Sequence, residues 1–178
     1  MRALTCLFFT CLLLAGCGVT APSHDAGYAD VDGLGWQQVD HNLSFSLGPT
    51  LLSMAAAMVE DDPKTQRLLR SLEGVRVKVY DVEAGKAEAV NEKIQQMQSD
   101  LVDQAWEPVV LVQEQNETTH LLVKMEGEQI RGITVLNTDG VEAIFVNVMG
   151  ELQPEMFSQT VAALKVPAPE VKLAASEP

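Results

Sequence analysis

Between Trp36 and Leu47 apolar and polar residues alternate: Val39, Leu43, Phe45 and Leu47 fall on one side, and Gln38, Asp40, Asn42, Ser44 and Ser46 on the other. A period of two over this length predicts a strand with one buried face, with His41 on the apolar side. Gly48-Pro49 ends it. Thr50 then caps a helix reaching to about Glu60, with Leu51, Met54, Ala55 and Met58 as its apolar stripe and the methionines as core filler. Asp61-Asp62-Pro63 restarts the chain as a second helix, with an aspartate cap and proline in the first turn. Leu68, Leu69 and Leu72 are its apolar side, and Gly74 stops it. Val75, Val77 and Val79 alternate with Arg76, Lys78 and Tyr80, a second strand. From Lys86 to Ala105, Val90, Ile94, Met97, Leu101 and Ala105 recur every three or four residues among polar positions, the pattern of an amphipathic helix.

After Glu107 the pattern changes to β-rich runs at 109–113, 118–125, 130–136 and 141–149. Polar turns with Gly or Asn separate them, which predicts an antiparallel meander closed by Gly150. Pro154 opens a last helix with Phe157, Val161 and Leu164 on one face. The fold class that follows is α+β: a mostly antiparallel sheet of about six strands, with helices packed on one face. The opposite face would then be open. It would show Arg76, Lys78 and Tyr80 from one strand, His120, Leu122 and Lys124 from another, and Phe145 from the last.

The N-terminus changes the picture. Met1-Arg2 is a short positive region, and Leu4 to Leu14 is a compact apolar run, too short to span a bilayer, which takes about 20 apolar residues. Leu14-Ala15-Gly16-Cys17 follows, the pattern cut by a lipoprotein signal peptidase, with Cys17 as the lipid-bearing first residue of the mature chain. This divides the chain into a signal peptide over 1–16, a lipidated N-terminus and flexible tether over 17–35, one α+β domain over 36–165, and a Pro/Ala-rich disordered tail over 166–178. Asp25, Asp30 and Asp32 in the tether lack the spacing of a calcium loop. Gly18 after Cys17 leans toward the outer membrane, since in enteric bacteria an aspartate there favours inner-membrane retention.

Charge and cysteine use narrow the function. The net charge is −13, and since Arg2 is the single charged side chain in 1–16, cleavage makes it −14. That balance argues against nucleic acid, whose binders need a basic patch. Of three cysteines, two lie in the leader and the third is Cys17, so the mature domain has no thiol for a disulfide or a thiolate metal site. No Ser-nucleophile elbow, zinc-protease helix, P-loop or dinucleotide glycine motif occurs. The expectation is therefore no catalytic residue, no metal and no cofactor.

Three stretches carry a family resemblance. They are Val39-Asp40-His41-Asn42-Leu43 on to Leu51-Leu52-Ser53-Met54-Ala55; Leu72-Glu73-Gly74-Val75 on to Tyr80; and Ile130-Arg131-Gly132-Ile133-Thr134-Val135-Leu136 on to Gly150. They resemble bacterial lipoproteins carrying the domain of unknown function numbered 4252. The resemblance implies a periplasm-facing lipoprotein and an α+β fold, and carries no functional residue across. The expected function is a membrane-anchored envelope lipoprotein, held by the lipid (palmitate) on Cys17 and non-catalytic, with an envelope protein as partner. Its interaction face would be Arg76, Lys78, Tyr80, Leu122 and Phe145. A carrier of small apolar ligands and, behind it, a hydrolase stay open as alternatives.

Overall fold

In a computed structural model, residues 18–31, 41–59, 61–114 and 117–152 are described. Their elements are β1 (His41–Leu47), α1 (Pro49–Met58), α2 (Pro63–Ser71), β2 (Leu72–Asp81), α3 (Ala87–Asp103), β3 (Trp106–Glu114), β4 (Glu117–Glu126), β5 (Gln129–Thr138) and β6 (Glu142–Leu152). The strands form one six-stranded sheet in the order β1-β2-β6-β5-β4-β3, antiparallel at every pairing. The α+β class with an antiparallel sheet is as the periodicity indicates. The meander β3-β4-β5-β6 has short described connections at 127–128 and 139–141. Asp139 accepts from the backbone N–H of Val141 and of Glu142, both at 2.8 Å, and so shapes the β5–β6 turn. The last predicted helix and the tail lie outside the described residues, as do Cys17 and the leader.

The helices occupy both faces, which corrects the one-face expectation. On one face, Leu52 of α1 and Leu68 and Leu69 of α2 pack with Val75, Val77, Val146, Val148 and Val135. On the other, Ile94, Met97 and Leu101 of α3 pack with Tyr80, Trp106, Leu122, Leu136 and Phe145. The physical reason is visible in the central strands. His120 to Val123, Gly132 to Leu136 and Phe145 to Gly150 are unbroken buried runs, and a strand buried at consecutive positions must be covered on both sides.

A second correction concerns the tether. Residues 18–31 do not hang free: they lie as a strap across the α3 face of the sheet. Ala21 N donates to Ser46 Oγ on β1 at 3.0 Å. A methyl group on Gly74 of β2 would run into Ala21, and one on Gly27 into the backbone of Arg131 on β5, so the glycines mark where strap and sheet touch most closely. Ala29 and Val31 are buried in the α3 core.

Candidate functional site

The strap has no strand partner, and where it crosses the sheet side chains satisfy part of its backbone. Asn147, fully buried on β6, ties two of these groups. Its Oδ1 accepts from Ala29 N at 3.0 Å, and its Nδ2 reaches Gly27 O at 3.0 Å, Ile133 O at 3.3 Å and Thr134 Oγ1 at 3.2 Å. Arg76 on β2 donates from Nη1 to Ala29 O at 2.9 Å. Its guanidinium stacks 4.2 Å from the Tyr28 ring centroid and 5.6 Å from that of Phe145. Arg131 on β5 closes the set: Nη2 lies 3.8 Å from Asp25 Oδ2, Nη1 2.9 Å from Glu151 Oε1, and Nε 3.5 Å from Glu126 Oε2.

This seam overturns the open interaction face. Arg76, Tyr80, Leu122 and Phe145 are buried, and Lys78 is half-buried. They lie on one sheet face, as the alternation indicates, but strap and α3 cover it. The face holds the protein's own N-terminal segment, and Arg76 and Phe145 take part directly. Asn147 was the sign in the sequence: one amide inside the apolar run Ile144-Phe145-Val146-Asn147-Val148-Met149 is buried with partners or not tolerated.

The histidines do not converge on a described site. The side chain of His41, at the start of β1, lies outside the described set. His120 is buried on β4, its Nε2 without a hydrogen bond, and burial lowers its pKa from 6.5. Among the described residues no three His, Cys, Asp or Glu side chains are grouped so as to hold a metal ion. A cleft lined by Val31, Tyr80, Ile94, Met97, Leu136 and Phe145 encloses about 10 Å³, room for about one water.

Besides Val102 of α3 and Val141 of the β5–β6 turn, the exposed large apolar side chains among the described residues include groups at the sheet's two edges. At one edge Leu43 and Phe45 of β1 are exposed, with Met54 and Met58 of α1. At the other, Val109 and Leu111 of β3 are exposed. The methionines correct the predicted stripe of α1: Leu52 and Ala56 face the sheet, while Met54 and Met58 are 58% and 84% exposed. No helix among the described residues is long and apolar enough to cross a membrane.

Compared with known families, residues 37–160 match the family described as domain of unknown function DUF4252. A comparison with curated proteins finds no match.

Proposed function

The chain belongs to the DUF4252 family, and on that footing we propose that it is a lipid-anchored envelope module that faces the periplasm and acts by binding rather than by catalysis. The observation that carries this is the junction at Cys17. A leader with a short positive start and an apolar run ends in Leu14-Ala15-Gly16-Cys17. One residue later, Gly18 is already part of the folded body, its carbonyl accepting from Thr50 N at 3.0 Å. A cysteine between a cleavable leader and a domain that begins at once is where an anchor belongs.

The binding surface of this module is at its exposed edges, since its sheet faces are occupied. The carrier reading draws no support from a cleft with room for one water, and the hydrolase reading none from His120, buried without a described acid partner. The test is metabolic labelling with a fatty acid, membrane fractionation and crosslinking in intact cells, wild type against Cys17→Ser. Acylation, membrane association and crosslinks to envelope proteins are expected for wild type and lost for the variant. Unlabelled wild type, or a variant that fractionates as wild type does, refutes the anchor.

A further inference from the structure

The strap leaves an anchor at Cys17 almost no slack. Gly18 O accepts from Thr50 N at 3.0 Å, and Val19 O from Gly48 N at 2.7 Å. Gly18 is packed so closely on the Thr50 side chain that a Cβ there would collide with it, and a Cβ on Gly48 would strike the carbonyls of Gly18 and Thr20. Consecutive Cα atoms lie about 3.8 Å apart, so an acylated Cys17 would hold the N-terminal end of α1 one residue from its own lipid. A body fixed at that point cannot stand off the bilayer; it must lay some surface on it.

The surface presented there suits lipid. Thr50, Met54 and Met58 are spaced four residues apart and share one stripe of α1. The stripe starts at the residue that holds Gly18 and runs away from it through two exposed methionines. None of the ten residues of α1 is charged, on a chain whose net charge is −13. Val19, next to Gly18, is 43% exposed, and Leu43 and Phe45 are exposed on β1, the edge strand that α1 touches. An acidic protein is repelled by anionic headgroups, so it can meet a bilayer only where it bears no charge and carries flexible apolar side chains.

We propose that the α1 stripe of Met54 and Met58, with Val19, is a membrane-docking surface that lies in the bilayer interface and fixes the orientation of the domain. The proposal rests on the anchoring reading, and deepens it by naming the face the anchor presses onto lipid.

The test uses the full mature chain, made in bacteria and reconstituted in phosphatidylcholine vesicles. After processing, an introduced cysteine is the one free thiol if Cys17 is acylated. Met54→Cys, Met58→Cys and, on the far edge, Leu111→Cys are each labelled with an environment-sensitive fluorophore. At positions 54 and 58 the emission shifts to the blue, is quenched by nitroxide-bearing lipid and resists aqueous iodide; at position 111 iodide alone quenches. Labels at 54 and 58 as open to iodide as the label at 111, on a chain whose mass shows the acyl group, overturn docking and leave the anchor intact. Protection from iodide without quenching by lipid nitroxide, accompanied by energy transfer between labelled chains, assigns the stripe to a second copy and overturns docking. A mature mass without an acyl group removes the anchor, and docking with it.

Discussion

Ala105 ends α3 with a φ of 63°, left-handed backbone that costs an L side chain about 1 kcal/mol and costs glycine nothing. It is exposed, so its methyl group contributes little packing. Ala105→Gly should therefore raise stability by about 0.5–1 kcal/mol, read as a higher denaturant midpoint at unchanged slope. The sequence pattern counted Ala105 with the apolar stripe of the helix, because periodicity registers residue type and is blind to the sign of φ. His120 carries a different prediction. Burial lowers its pKa from 6.5, so below about pH 6.5 the unfolded chain binds a proton that the folded one refuses, and stability falls as pH drops through that window. His120→Leu should flatten the pH dependence of the unfolding midpoint between its lowered pKa and 6.5. Acid loss near pH 4 and below should persist in that variant. There Asp62, held low by the Thr65 hydroxyl and backbone, and Asp139, held low by the N–H groups of Glu142 and Val141, still become protonated. A variant whose midpoint keeps the wild-type slope just below pH 6.5 would show that His120 is not the group responsible.

Elements differ in how much of their placement the sequence shows. The meander is legible because the polar, Gly-bearing stretches Glu126-Gly127-Glu128 and Asn137-Thr138-Asp139-Gly140 signal turns between β-rich runs, although the strands reach into them, to Glu126 in β4 and to Thr138 in β5. For α3 the polar positions point away from Ile94, Met97 and Leu101, so even its buried side is legible. In α1 ten uncharged residues leave the phase open: Leu51 and Met54 are as apolar as Leu52 and Ala56, and only the geometry of the Gly48-Pro49 corner decides which pair meets the sheet. The strap was hardest to read, because glycine, proline and aspartate suit a free linker as well as a segment whose backbone is tied down by side chains from distant strands. Asn147 is the tie that can be cut. Asn147→Ala would leave Ala29 N–H and Gly27 C=O buried without partners, at about 1–3 kcal/mol for each group. The seam should fail before the sheet does. Hydrogen exchange should rise at 25–31 with little change in β5 and β6, and limited proteolysis should find the strap first. Equal loss of protection across strap and sheet would mean that Asn147 supports the sheet as a whole rather than the strap.

For the molecule as a whole, the strap would turn the proposed anchor at Cys17 into an orientation. A flexible linker between lipid and body would let an acidic domain drift away from a like-charged surface, whereas a strap seated from Gly18 onward, touching β1, β2, β6 and β5, would carry the position of a bilayer anchored at Cys17 into the fold. Seen this way, the two sheet edges have separate tasks. The β1 edge, with α1 beside it, would face lipid in the proposed docking. On the proposed reading the β3 edge, with Val109 and Leu111 exposed, would be the one left for a partner, and Pro108 removes one backbone donor from that edge strand. Anchoring and orientation can be separated by lengthening the one bond that joins them. Inserting a 20-residue Gly-Ser segment between Cys17 and Gly18, with glycine kept next to Cys17, leaves leader, acylated residue and strap unchanged. It adds a chain whose ends lie about 25 Å apart on average. Acylation and membrane fractionation should stay as in the wild type, while a label on Met58→Cys should lose much of its quenching by lipid nitroxide and become open to iodide. Electrostatic repulsion of the freed body should make that exposure greater on vesicles containing anionic lipid and smaller at high salt. If the label stays buried in lipid despite the added chain, the α1 stripe holds the membrane by its own affinity, and the short junction at Cys17 is not what orients the domain.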